Sequence, residues 1–288
     1  VEAVTVNVEE YTPDAVLPVE PEWQADYDKV VSRGRYLARM WDVVIVGQAR
    51  NIGGILPHTI RRLEEIGSCF RSWSAVVVEN DSIDNTKDVL QAWSASRPGQ
   101  VVADCRDLGR EHLHGFERAR VERYAEYRNR SVDIAKERWP DAHLVLAVDL
   151  DPWGGYSLEG VMSSVYWIDE ITGACGMAST SLYQAATSTG ETMWAHYDQW
   201  AFRQWSWTPR WDRYFLQWLP PPGVDPIPVK SAFGACVLYN APFLFDYGCR
   251  WRSVDGDIEH VGLHRQMADV GGDMYLNPAS RVVMHWHP

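Results

Sequence analysis

The first half of this chain alternates two kinds of segment with a regularity that leaves few folds open. Compact β-branched runs occur at 41–51 (WDVVIVGQARN), 74–81 (SAVVVEND), 101–105 (VVADC) and 143–151 (HLVLAVDLD). Between them lie stretches of helical period at 57–70, 82–95 and 118–139. Runs that are apolar at nearly every position need cover on both faces, which a parallel sheet between layers of helices provides. The alternation predicts an α/β fold with a Rossmann-like mixed, mostly parallel sheet flanked by helices. Residues 1–40 read as an acidic, proline-bearing extension followed by a short helix through DYDKVVSRGRYLARM, and 41–288 as one domain. Its later part is less regular. A strand is expected at 173–180, a tryptophan-rich stretch runs from 197 to 218, a strand pattern from 229 to 245, a helix from 255 to 272, and two short strands from 273 to 288.

The fourth run ends in AVDLDPWGG. Along a strand, side chains alternate, so Asp149 and Asp151 share one face if the strand continues through them. In open α/β sheets ligands gather at the carboxyl ends of the strands. Two like charges held together at such an edge suit a shared divalent cation, and hard carboxylate oxygens suit Mn²⁺ or Mg²⁺ with phosphate oxygens completing the shell. The same residues also make good turn chemistry. Gly154 and Gly155 permit a sharp bend beside the ligand.

Other polar groups fall at neighbouring strand ends. Gln48 and Arg50 close the first run, and the Arg50 fork matches a phosphate. Glu79, Asn80, Asp81 and Asp84 follow the second, where they can accept from ribose hydroxyls or a base edge, or cap the next helix. Arg128 and Asn129 sit on the long helix, where they could reach phosphates or a sugar or belong to a solvated arginine face. Neither the phosphate-cradling GK[ST] loop nor GxGxxG occurs in the chain. Late in the chain, Glu259 is a candidate general base or hydroxyl holder, and Asp257 either shares that catalytic role or caps the helix. His260 and His264 share a helix face and make a weak zinc pair lacking the HExxH glutamate. His285 is the preferred further ligand beside Asp151. One or two of the crowded tryptophans are expected to line an acceptor groove.

The net charge of −12 removes a global basic footprint. A nucleic-acid acceptor is left as the lesser alternative. No run of 18 apolar residues is present, so no membrane span is expected. Five dispersed cysteines without CxxC lean toward a reducing compartment. Glycans on the two sequons, at Asn80 and Asn129, would fall at the predicted site, so a cytoplasmic location is favoured.

Several segments, taken in order, resemble the CAP59-like fungal alpha-mannosyltransferase family, which has a GT-A fold. VVIVGQARN resembles its opening strand, VVENDSIDNTKDVL its YESGSxDxT segment, and RVERYAEYRNRSVDIA its RxxYLAxxRN helix. HYDQW resembles FYDxW, VKSAFGACVLYNAPFLF resembles VxSCWNGxxxFxAxPF, and 257–286 resembles the closing SECxLxxxDL region. The resemblance implies a metal-dependent glycosyltransferase moving a hexose, with mannose or glucose favoured, from a GDP- or UDP-linked donor to a hydroxyl of a carbohydrate or other acceptor, with retention. It implies that Asp149 and Asp151 hold the metal, that Arg128 and Asn129 approach the donor, and that Glu259 handles acceptor or sugar. Residues 41–155 would form the nucleotide-binding half and 156–288 the acceptor half. The cysteines of SCW and SEC have no counterpart here, so no disulfide is expected between those segments. Another Mg²⁺- or Mn²⁺-dependent nucleotide-using transferase, such as a nucleotidyltransferase, and a non-catalytic carbohydrate-binding protein are the alternatives.

Overall fold

Four parallel strands, β1 (Asp42–Ala49), β2 (Ser72–Asn80), β3 (Val101–Arg106) and β4 (Leu144–Asp149), stand in the order β3-β2-β1-β4 in a computed structural model. The structure describes residues 12–284 apart from 114, 116, 187–188, 205 and 208–218. The crossovers are α3 (Leu56–Gly67), α4 (Thr86–Ser96) and α5 (Arg118–Arg138), as the periodicity predicts. Parallel pairing brings the carboxyl ends of all four strands to one edge. Both faces are covered. Val43 and Ile45 pack with Leu56, Leu63 and Met162 on one side, while Val44 and Val46 pack with Val132, Ala135 and Trp251 on the other.

The sheet continues from β4 through β9 (Cys236–Asn240), β6 (Ala174–Ala186) and β10 (Asp273–Val283) to β5 (Gly155–Tyr156). β9 runs antiparallel to both its neighbours, and β10 is parallel to β6. β7 (Thr192–His196) pairs with β6 and β8 (Ile227–Val229) with β10. The result is a mixed sheet of ten described strands, six of them pointing one way.

Several expectations change in the second half. A helix over residues 158–170, α6 (Leu158–Glu170), lies in a segment with no predicted element; Ser157 caps it by accepting from the Gly160 N–H at 2.9 Å. It packs on α2 (Pro21–Ala38), which follows the short helix α1 (Pro13–Val16) and starts earlier than the predicted short helix. Contact there is close: a Cβ at Gly34 would stand 1.8 Å from the Met162 carbonyl oxygen. The apolar run 229–245 splits into the end of β8, then β9, then the short helix α7 (Ala241–Phe245), because Pro242 suits a helix's first turn and not a central strand. The predicted helix at 255–272 is α8 (Glu259–Asp269), since Asp255 and Gly256 take φ of 56° and 77° and turn the chain first. The two strands expected after 273 are one strand with a register shift between Asn277 and Arg281, where Pro278 has no N–H to give the ladder. All five cysteines are free thiols, and no helix among the described residues is long and apolar enough to cross a membrane.

The candidate functional site

The end of β4 is held by its own backbone. Asp149 N–H donates to the Ala235 carbonyl at 2.9 Å, its carbonyl accepts from the Tyr156 hydroxyl, and the Leu150 carbonyl accepts from Thr59 Oγ1 at 3.0 Å. The Leu150 side chain is 2% exposed in the core, against Gly47. Turning the middle residue of Asp149–Leu150–Asp151 inward leaves both aspartates lining the same cleft. The chain then bends through Gly155 at φ 71°.

The cleft has a volume of about 570 Å³. Gln48, Arg50, Asn51 and Asn80 line it from the ends of β1 and β2, Arg120, Arg123, Tyr124 and Arg128 from α5, and Tyr197, Asp198, Trp200, Phe233, Glu259 and His260 from the later part of the chain. Arg128 joins the two acidic regions. Its Nη2 donates to Asp149 Oδ1 at 3.1 Å and its Nε to Glu259 Oε1 at 3.3 Å. Burial raises the carboxyls of Asp149 and Glu259 above the ordinary range, with Arg128 opposing the shift in both. Enclosure by the cleft walls and the neighbouring Asp149 push Asp151 up to about 6.

The remaining predicted residues divide between lining and bracing. Gln48 Nε2 donates to the Tyr124 carbonyl at 3.1 Å, while its buried Oε1 has no partner. Arg50 Nη2 is tied to the Arg110 carbonyl at 2.8 Å. Glu79, Asp81, Asp84, Asn129 and Asp257 do not line the cleft. Glu79 Oε1 accepts from the Ser82 N–H at 2.8 Å. Asp81 accepts from the N–H groups of Leu108 and Gly109, both at 2.7 Å, and of Arg110 at 3.2 Å. Burial opposes its ionisation, but the Asn80 amide and these three groups outweigh it and hold the carboxyl down at about 2. Asp84 staples the first loop to the second by accepting from Gly53 N–H at 2.9 Å and Thr86 N–H at 3.0 Å. Asn129 exchanges two hydrogen bonds with the backbone of Trp251, at 2.8 and 3.0 Å, instead of turning to a donor. Asp257 Oδ1 accepts from Arg203 Nη2 at 2.7 Å and from the Ile258 N–H at 2.8 Å.

His264 is unsuited to zinc, since Ser231 Oγ and Tyr239 Oη occupy its two nitrogens at 2.8 and 2.9 Å. His285 lies outside the described residues; Met284, which precedes it, lines the cleft. Among the described residues no group of three His, Cys, Asp or Glu gathers as a metal cage. The donor set at Asp149 and Asp151 is instead two hard carboxylates that line the cleft, the first of them paired with Arg128. That fits Mg²⁺ or Mn²⁺ bound through one or two carboxylates with phosphate oxygens and water in the other positions. Trp200 is among the cleft-lining aromatics. Arg120 and Tyr124 also line it and were not singled out from the sequence, although 120, 124 and 128 recur every four residues and so share one helix face.

No family model matches this chain, and no curated protein matches it. Solved structures do. Mannosyltransferase PcManGT from Pyrobaculum calidifontis, in complex with GDP-Man and Mn²⁺, aligns at TM-score 0.50 and 11% identity, over 91% of this chain and 66% of that one. GalNAc-T7 with UDP, GalNAc and Mn²⁺ aligns at 0.52 and 13%, over 99% and 56%. S. aureus TarS 1–349 in complex with UDP-GlcNAc aligns at 0.50 and 12%, over 86% and 59%. The chain therefore spans between 56% and 66% of the length of these three. The shared architecture is the GT-A glycosyltransferase fold, a curled, largely parallel core sheet flanked by helices.

Proposed function

We propose that this chain is a metal-dependent glycosyltransferase that moves a hexose, mannose or glucose, from a GDP- or UDP-linked donor to the hydroxyl of a carbohydrate acceptor, with retention. One observation carries the reading: two aspartates at a strand's carboxyl end face a cleft, and one buried arginine links the first of them to a buried glutamate at the start of α8. The GT-A fold and the sugar nucleotides and Mn²⁺ named with PcManGT and GalNAc-T7 support it. The resemblance noted in the sequence supports the choice of mannose or glucose and of retention.

Asp149 and Asp151 would hold Mn²⁺ or Mg²⁺, which neutralises charge on the departing diphosphate. Gln48, with a buried acceptor oxygen unpaired, and Asn80 face the nucleotide end. Arg50 and Arg120 present guanidinium groups to the diphosphate. Asp81, Asp84 and Glu79 position the loops that carry those contacts, and Asn129 and Asp257 fix the elements behind Arg128 and Glu259. The donor's anomeric C–O bond breaks with its electron pair leaving on the diphosphate oxygen, the acceptor oxygen bonds to that carbon, and the acceptor's proton passes to the departing diphosphate. Glu259 is the carboxylate that handles a substrate hydroxyl, and Trp200, whose ring lies 5.7 Å from the Arg120 guanidinium, brings an aromatic side chain to the same cleft. Residues 41–155 supply the nucleotide side and 156–288 the acceptor side. A cytoplasmic setting is consistent with five free thiols and with sequon asparagines whose amides are both hydrogen-bonded.

Calorimetry with GDP-, UDP- and ADP-sugars, with and without Mn²⁺, tests the proposal. One nucleotide series is expected to bind only with the metal. Asp151→Ala is expected to lose that binding and at least about 100-fold in turnover, about 2.7 kcal/mol of transition-state stabilisation. Full activity in EDTA, or wild-type turnover by the variant, overturns it.

A further inference from the structure

We infer that His260 is a fixed hydrogen-bond donor that, with Glu259, clamps one hydroxyl of the transferred hexose. The inference rests on the donor being a nucleoside diphosphate sugar. Trp251 Nε1 carries a proton and can only donate. It lies 3.2 Å from His260 Nδ1. Nδ1 must therefore accept, and in the neutral ring the proton sits on Nε2. Burial, reinforced by the positive charge of Arg128, keeps the ring neutral. The ring is also held in place. It stacks on Phe233 with centroids 4.0 Å apart, and the Arg128 guanidinium lies 4.6 Å from the Phe233 centroid.

His260 is 1% exposed, yet its Nε2 has no hydrogen-bond partner and the residue lines the cleft. A buried donor left unpaired destabilises the fold, and a ligand that pairs it removes the penalty. Glu259 Oε1 stands 3.6 Å from that Nε2, beyond hydrogen-bond range. A donor and an acceptor this close can be bridged by a single hydroxyl. An oxygen about 2.8 Å from each would accept from Nε2–H and donate its own proton to the carboxylate. A carbonyl oxygen or an ammonium group cannot do both.

Position identifies the owner of the hydroxyl. Arg128 binds Asp149 through Nη2 and Glu259 through Nε, so a single guanidinium separates the carboxylate under the diphosphate from the clamp. The first group beyond the diphosphate of a sugar nucleotide is the hexose, and the acceptor lies farther out.

The test compares a sugar nucleotide with the bare nucleoside diphosphate, both with Mn²⁺, by calorimetry. The donor is whichever of GDP-mannose, GDP-glucose and UDP-glucose binds the wild-type protein most tightly. His260→Asn keeps an acceptor for Trp251 and removes the donor at Nε2, whereas His260→Gln places an amide N–H near the Nε2 position. His260→Asn is expected to weaken the sugar nucleotide about 10-fold and leave the bare diphosphate unchanged, with His260→Gln recovering most of the loss. Long-range ¹H–¹⁵N NMR of the unliganded protein is expected to show His260 as the neutral Nε2–H tautomer. Equal loss of both ligands, no loss of either, or the Nδ1–H tautomer overturns the clamp while leaving the proposed function standing. Failure of the wild-type protein to bind any of these nucleotides overturns the function and the clamp with it. An effect confined to the KM of the acceptor overturns the assignment to the hexose.

Discussion

Arg128→Met keeps the length of a buried side chain and removes its charge. Arg128 is 8% exposed and Glu259 is 3% exposed. Without the guanidinium, Glu259 becomes a buried ion with nothing opposite, and Asp149 loses the cation that counters its burial. Removing one partner of a buried pair costs about 3–5 kcal/mol. A third of the Asp149 side chain, 33%, is open to the cleft. Solvent therefore screens its share, which places the loss near the lower end, about 3 kcal/mol at pH 8. The pH dependence has a definite sign. Burial already raises both carboxyls and Arg128 restrains the rise, so in the variant both climb further. A group whose folded pKa lies above its unfolded one contributes fully below the unfolded value, about 4, and that contribution is lost as pH rises through the folded pKa. The deficit of the variant is therefore greatest at pH 8 and shrinks toward pH 5, where the carboxyls take protons. Urea unfolding followed by tryptophan fluorescence reads it directly. With a slope of about 3 kcal/mol per molar urea, the midpoint falls by about 1 M at pH 8 and by less at pH 5. A deficit that is constant with pH, or that grows toward acid, would refute the idea that Arg128 acts by neutralising buried carboxylates.

Three further outcomes are expected. Because Asp151 is raised to about 6, protons compete with the divalent ion. Mn²⁺-dependent binding of a nucleoside diphosphate should weaken by about tenfold per pH unit below that value, and calorimetry showing flat affinity from pH 5 to 7.5 would contradict this. Gly234 has φ 61°, and a Cβ there would stand 1.8 Å from the Ser179 carbonyl oxygen. Gly234→Ala should cost about 2–3 kcal/mol, seen as a lower Tm; an unchanged Tm would count against the packing described. Asp81→Asn loses the charge that holds the Leu108, Gly109 and Arg110 amides, at about 1–2 kcal/mol. In the wild type this contribution is present above about pH 4 and is lost as pH falls through about 2. Amide exchange at Leu108 and Gly109 should quicken in the variant, and unaltered protection there would rule out the brace.

Periodicity is a local property, so the sequence alone determined the α/β frame of the first half. Val43 to Val46 bury alternately on two faces wherever the strand is placed, provided helices cover both. The aspartate pair was legible for the same reason, since residues two apart at a strand end face one way. Adjacent helical residues do not. Arg128 and Asn129 read as one donor-facing unit, yet they stand about 100° apart around α5, and Arg128 enters the cleft while Asn129 holds the Trp251 backbone. Asp257 and Glu259 part for a related reason: the chain changes from turn to helix between them, which sends one to Arg203 and the other to Arg128. Only the tertiary structure decided which charges meet. Glu259 reaches Arg128 across 131 positions of sequence, and the His260 tautomer depends on the placement of the Trp251 indole. No spacing rule encodes such meetings, because they follow from how the sheet order brings β4, α5 and α8 to one edge.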